Sequence, residues 1–226
     1  MQIDPIALTQ ELIRFETVNP PGAEASCAAH LADILDRNGF SVETHAFGPG
    51  RTSLVARWQG DDPAFAPLAF TGHLDTVPLG ARPWSVDPFR AEVRDGRLYG
   101  RGASDMKAGV AAAVSAAIWA AGEGSLRRGV TLVLTAGEET GCEGARHLAG
   151  TRGALGEASG LIVAEPTSNR LVVAHKGALH LRARTKGRTA HGSMPQLGDN
   201  AVVKAVRAIA AIQSFPFEAE PHALLG

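Results

Sequence analysis

Two short runs constrain the fold of this chain more than any other feature. Val130 to Thr135 is nearly continuously apolar and β-branched, and Leu161 to Val163 repeats the pattern. A strand with one wet face alternates apolar and polar residues, so unbroken runs predict strands covered on both faces, as in a helix-covered sheet. Helical segments separate the strands. Ser26 to Asn38 places Leu31, Ile34 and Leu35 on one side with Gly39 at its end, and Met106 to Ala121 is a small-residue helix whose alanines suit close packing on a sheet. A looser helix around Ile6 to Phe15 is ended by Asn19-Pro20-Pro21-Gly22. Ser53 to Trp58 and Leu68 to Thr71 read as further strands, and Asp95-Gly96 as a hairpin turn between Phe89–Val93 and Arg97–Tyr99. Strands alternating with helices predict an α/β domain with a helix-flanked, mostly parallel sheet over residues 1–174.

From about Leu171 the character changes. Leu179, Leu181 and Ala183 alternate with His180, Arg182 and Arg184, the pattern of a strand with one wet face. Asn200 to Ile212 reads as an amphipathic helix capped by Asn200, with Val203, Val206, Ile209 and Ala210 facing inward. One strand and one helix do not close a domain, so residues 175–226 are expected to be an incomplete α+β unit. The 226 residues carry a formal charge of −1, which gives no electrostatic reason to expect nucleic acid or an anionic membrane as partner. A 45% hydrophobic content supports a sizeable core and excludes disorder as the main state. Cys27 and Cys142 cannot build a disulfide framework and suit a reducing compartment. Met1 to Pro21 lacks the features of a signal peptide, and the Ala-rich stretch Ala108 to Gly122, interrupted by Ser115, is short for a bilayer span. The expected location is the cytoplasm.

The acids and histidines fall at strand ends. His73 and Asp75 follow the run ending at Phe70, Asp105 lies between a glycine-rich turn and a helix, Glu138 and Glu139 follow Val130–Thr135, and Glu165 follows Leu161–Val163. Ligands of open α/β sheets collect at the carboxyl ends of strands. Taken singly, each has a blander role: Asp105 as a helix cap, the glutamates as solvated loop acids, His73 as a satisfied polar residue. Jointly they predict one crowded carboxylate–imidazole site. So many acids raise one another's pKa unless a cation neutralises them, and mixed His and carboxylate ligands suit Zn²⁺, Mn²⁺ or Co²⁺. Residues two apart on a strand share a face, so Asp75 is expected to accept the second ring N–H of His73 and fix its tautomer. Adjacent Glu138 and Glu139 diverge, so one can bind metal while the other handles the proton of a metal-bound water whose pKa is lowered to about 7.

Four segments occur in order: Thr71-Gly72-His73-Leu74-Asp75-Thr76-Val77-Pro78, Gly100-Arg101-Gly102-Ala103-Ser104-Asp105-Met106-Lys107, Gly137-Glu138-Glu139-Thr140-Gly141 and Ala164-Glu165-Pro166-Thr167. Together they closely resemble the co-catalytic zinc amidohydrolases that include acetylornithine deacetylase, succinyl-diaminopimelate desuccinylase, aminoacylase and glutamate carboxypeptidase. The likeness covers the chain from Asp4 to its end. It implies that His73 and Glu165 hold one divalent metal, that Glu139 helps hold a second, and that Asp105 bridges them. It implies that Asp75 orients His73 and that Glu138 is the general base and later the proton donor. The implied cofactors are two Zn²⁺ ions, with Co²⁺ or Mn²⁺ as alternatives. The implied reaction is hydrolysis of an N-acyl amino acid or small peptide by a hydroxide bound to both metals. Ala190-His191-Gly192 resembles the family's lid, which makes residues 175–226 part of a lid or dimerisation domain. His191 would there reach a homodimer partner's site and stabilise the oxyanion. Lys176, at Lys176-Gly177, falls where the family places a substrate contact.

The chain departs from the family in one respect. After Glu165 nothing matches the final histidine of the second metal, and His222 sits in lid-like sequence, Glu218-Ala219-Glu220-Pro221-His222. The expectation is an amino-terminal portion of such an enzyme; the alternative is a truncated, inactive metal-binding or dimerisation fragment. A nucleotide-binding protein fits less well, since Gly100-Arg101-Gly102 has neither phosphate-loop nor dinucleotide spacing.

Overall fold

A computed structural model describes residues 2–124, 126–177, 181–216, 220 and 222–223. The chain divides into two compact units, Met1–Asn169 and Arg170–Gly226. The first opens with helix α1 (Pro5–Ile13), whose Asp4 side chain caps the Ile6 N–H, and helix α2 (Ala25–Arg37). Strands β1 (Ser41–Gly48), β2 (Arg51–Trp58) and β3 (Leu68–His73) follow, then the short hairpin β4 (Glu92–Arg94) and β5 (Arg97–Tyr99). Asp95 and Gly96 form its turn with φ of 51° and 70°, the left-handed pair that such a turn requires. A π-helical turn, Ala103–Lys107, leads into helix α3 (Ala108–Gly122), followed by strand β6 (Val130–Thr135), helix α4 (Glu143–Gly150) and strand β7 (Gly160–Val163).

The main sheet has the order β1-β2-β6-β3-β7. β3 pairs in parallel with both β6 and β7, whereas β2 is antiparallel to both β1 and β6. Four of the five strands therefore run one way and β2 alone opposes them. The pleat sorts the apolar runs between two cores. Leu54, Ala56, Leu132 and Leu134 pack with Leu8, Leu12, Leu31, Leu35, Val110, Val114 and Ile118 of α1, α2 and α3. Val55 and Val133 turn to the other face, against Leu148 and Ala154. Each fully buried leucine contributes about 2 kcal/mol by leaving water.

Small residues on α3 let it approach the sheet. A Cβ on Gly109 would collide with the Ala164 carbonyl just beyond β7, so only glycine fits there. Lys107, wholly buried, ties the π-helical turn to α1. Its Nζ donates to the Leu12 and Phe15 carbonyl oxygens at 2.9 and 2.8 Å.

Several expectations need correction. β7 forms, but Leu161, Ile162 and Val163 are 58%, 47% and 53% exposed rather than buried on both faces. Among the described residues the strand lies at the sheet edge with β3 as its one neighbour, and a sequence run records an apolar preference without supplying the helix that would cover it. β1 and α4 carry weak or mixed patterns and were not anticipated.

In the second unit, Leu181 and Ala183 lie in no strand, while Leu179 and His180 fall outside the described residues. Local order comes instead from an antiparallel pairing of Arg188 with Asp199 and a 3₁₀ turn at Pro195–Leu197. Helix α5 (Ala201–Gln213) forms, and Asn200 Oδ1 accepts the N–H groups of Val202 and Val203 as expected of a cap. Its apolar side is not inward-facing. Val203, Val206 and Ile209 are 46%, 60% and 57% exposed, and Ala210 is exposed as well.

Candidate metal centre

β3 and β6 end side by side, His73 opposite Thr135, so their following loops share one edge of the sheet. His73 is the last residue of β3 and is almost wholly buried. Its Nδ1 lies 2.9 Å from the Asp75 carbonyl oxygen and 3.5 Å from Asp75 Oδ1. Both neighbours are acceptors, so Nδ1 carries a proton, and a metal bound at Nε2 would take the lone pair there in place of a second proton. Nε2 points at Asp105 Oδ1, 3.0 Å away, with Glu165 Oε1 at 3.8 Å.

Asp105 stands in the π-helical turn, where its φ and ψ of −120° and 99° leave helical geometry; the Asp105–Met106 peptide is cis. Ligand atoms of His73, Asp105 and Glu139 lie within 4.8 Å of one another. Glu139 Oε1 is buried without a hydrogen-bond partner, an unfavourable state for a carboxylate oxygen that a cation would relieve. The donor set of one imidazole and several carboxylates therefore fits a divalent metal. Glu165 stands beside this trio through its approach to His73, outside the tightest grouping.

Electrostatics point the same way. Burial opposes a charged His73 ring, but the Asp75 hydrogen bond and the negative charges of Asp75, Glu165 and Asp105 outweigh it and raise its pKa to about 9. Burial also pushes the Glu139 and Glu165 carboxyls above their ordinary values; His73 draws both down, while Asp105 and Glu138 push them up. The site favours positive charge among its acids.

Asp75 lies two residues past the end of β3, so strand geometry does not place it: the nearer partner of His73 Nδ1 is the Asp75 main-chain carbonyl, and the Asp75 carboxylate is engaged mainly elsewhere. Its Oδ1 accepts the Glu138 N–H at 3.0 Å; its Oδ2 accepts the Glu139 N–H at 3.1 Å and Asn19 Nδ2 at 2.8 Å. Burial alone would raise this carboxyl, yet hydrogen bonds from His73, Asn19 and the two amides hold it at about 2. The carboxylate thus links the His73 strand to the Glu138-Glu139 loop. Glu138 is half-buried there, its Oε1 3.7 Å from Cys142 Sγ.

His191 and Lys176 belong to the second unit. His191 Nδ1 pairs with Ser193 Oγ at 2.8 Å in an exposed loop, and the exposed Lys176 offers its carbonyl to His175 Nδ1 at 3.1 Å. The sequence does not single out Asn19, which stands there in the helix-ending Asn19-Pro20-Pro21-Gly22. Its amide also donates to Thr140 Oγ1 at 2.9 Å. Nothing local distinguishes it, since its partners lie 56 and 121 residues away.

Comparison with known proteins identifies a family. Residues 69–222 match the family described as Peptidase family M20/M25/M40. A probable succinyl-diaminopimelate desuccinylase of Staphylococcus epidermidis is 38% identical over 201 residues, covering 88% of this chain and 48% of the relative. A succinyl-diaminopimelate desuccinylase of Wolbachia pipientis is 33% identical over 96% of this chain and 56% of its own length. The chain thus spans about half the length of the curated relatives it matches. In fold it resembles an M20 family metallo-carboxypeptidase from Sulfolobus solfataricus, with a TM-score of 0.70, 18% identity and coverage of 92% of this chain and 49% of that one. Human carnosine dipeptidase 1 aligns with a TM-score of 0.59 at 26% identity, covering 70% of this chain and 38% of its own.

Proposed function

The chain belongs to Peptidase family M20/M25/M40, and from that premise we propose that it forms part of a metal-dependent amidohydrolase acting on an N-acyl amino acid or small peptide, of the desuccinylase or deacetylase type. The carrying observation is the convergence of His73, Asp105 and Glu139, one oxygen of Glu139 being buried without a hydrogen-bond partner, with Glu138 next in the chain. The succinyl group is the favoured acyl group because relatives sharing 38% and 33% identity bear the desuccinylase name.

His73 and Glu165 would hold one divalent ion, Glu139 would help hold a second, and Asp105 would bridge them. Zinc suits these ligands, as do cobalt and manganese. The ions would supply Lewis-acid polarisation of the scissile carbonyl and lower the pKa of water at neutral pH. Glu138 takes the proton of the attacking water and returns it to the departing nitrogen, so the amide cleaves to a carboxylate and an amine. Asp75 holds the His73 tautomer and, through two amides, the loop carrying both glutamates. His191, contributed across a homodimer, would stabilise the oxyanion, and Lys176 would contact substrate. A cytoplasmic setting belongs to the same reading. It is supported by two unpaired cysteines, and among the described residues no helix is long and apolar enough to cross a membrane.

The test pairs metal analysis with hydrolysis of N-succinyl and N-acetyl amino acids. Glu138→Ala should abolish turnover while metal content stays near normal, and Asp105→Ala should remove both ions. Loss of metal in Glu138→Ala would overturn the base assignment; failure of the unaltered chain to bind zinc or cobalt would overturn the metal centre.

A further inference from the structure

The Glu138-Glu139 loop is held from two sides. Asp75 holds it from the His73 side; the other hold comes from residues in none of the four sequence segments. Glu24, immediately before α2, has a wholly buried carboxylate. Its Oε1 accepts the Gly137 N–H at 3.2 Å, from 113 residues away, and its Oε2 accepts Arg51 Nε at 2.9 Å. The Arg51 guanidinium, largely buried, donates through Nη1 to the Pro21 carbonyl at 3.2 Å, and its Nη2 lies 3.2 Å from Glu143 Oε2. It lies against Gly137, whose φ is +75°; a Cβ there would meet Arg51 Nη2 at 2.7 Å.

Taken together, the contacts restrain nearly every peptide group of the loop. Gly137 N–H goes to Glu24 and Gly137 O accepts the Glu143 N–H; Glu138 O accepts the Gly141 and Cys142 N–H groups; the N–H groups of Glu138 and Glu139 go to Asp75. Burying an ion pair is unfavourable unless its hydrogen bonds offset the lost hydration, and an apolar pair of similar volume serves packing as well or better. What an apolar pair cannot do is accept the Gly137 N–H.

We propose that Glu24 and Arg51 are positioning residues for the proposed metal centre, acting through Gly137 to hold Glu138 and Glu139 in the orientation that the metal and the attacking water require. This rests on the function proposed above, and the test separates the two. Co²⁺ is titrated into the full chain while its visible absorption is followed, and exchange of the Gly137, Glu138 and Glu139 amides is measured in the same variants. Glu24→Ala should weaken Co²⁺ affinity about 10-fold or more, alter the absorption bands and speed exchange at those three amides. Glu24→Gln, which keeps an acceptor for Gly137 but loses the charge pair, should fall between and covers the case in which the alanine variant does not fold. Leu31→Ala, a core truncation in α2, is the control: it should lower stability and leave affinity, spectrum and loop exchange unchanged. Glu24 variants matching Leu31→Ala in loop exchange would overturn the positioning role whether or not the chain binds cobalt. An unaltered chain that binds no Co²⁺ would overturn the metal centre instead, with the exchange data still deciding the role of Glu24.

Discussion

Replacing Lys107 with methionine keeps most of the stem and removes the ammonium that joins α1 to the Asp105 turn. The two hydrogen bonds lost are those to the Leu12 and Phe15 carbonyls, both charge-assisted. Hydrogen bonds to a charged group contribute roughly 1.5–3 kcal/mol each. Here each oxygen keeps a backbone donor, Phe15 N–H on Leu12 O at 3.2 Å and Thr17 N–H on Phe15 O at 3.0 Å. The loss should therefore sit near the lower bound, about 1–1.5 kcal/mol per bond and about 2–3 kcal/mol in all. For a unit of this size that lowers Tm by roughly 4–12 °C. Urea denaturation followed by far-UV circular dichroism, with a thermal scan beside it, measures the difference directly. Lys107→Ala should lose more, because it adds a cavity. A methionine variant as stable as the parent, or more so, would refute the reasoning, since desolvation of the ammonium would then outweigh both bonds.

Gly109→Ala should cost about 1–3 kcal/mol by overpacking and, because the colliding Ala164 carbonyl precedes Glu165, weaken cobalt binding as well; unchanged affinity would show that the Glu165 segment moves freely of α3. Asp75→Asn places an amide where the carboxylate accepts N–H groups from Asn19, Glu138 and Glu139, and should lower metal affinity roughly 10–100-fold by titration calorimetry. An affinity within threefold of the parent would remove Asp75 from the ligand-orienting role. The buried Cys27 thiol is pushed up to about 11 by burial, above its unfolded value of about 8.5. The folded chain then keeps a proton that the unfolded chain releases, so this stabilisation is whole below about pH 8.5 and is lost as pH rises toward 11. Over that window the stability advantage of the parent over Cys27→Ala should shrink by about 3–3.5 kcal/mol; parallel pH curves would contradict the assignment. The exposed Cys142 should react with a thiol reagent in the folded state and Cys27 only on unfolding.

Much of the architecture was legible because it is written locally. The unbroken run Val130–Thr135 needs cover on both faces and receives it, with Leu132 and Leu134 turned to one core and Val133 to the other. Asn200 caps its own helix two and three residues on, and Asp95-Gly96 closes a hairpin between adjacent strands. The crowding of His73, Asp105 and Glu139 was also accessible, because parallel strands bring their carboxyl ends to one edge whatever the connections between them.

What only the tertiary structure decided concerns partners far away in the chain. Periodicity states which residues avoid water, not what covers them. Leu161–Val163 and the apolar side of α5 therefore looked buried and are exposed among the described residues. A buried charge leaves no local mark at all. Lys107 bonds carbonyls more than 90 residues earlier, and Glu24 reaches Gly137 across 113. Their significance exists only once the chain has folded, because a lysine or glutamate in sequence is by default a solvated residue. The amino-acid order determined which side chains could bind a metal; the fold determined what holds them in place.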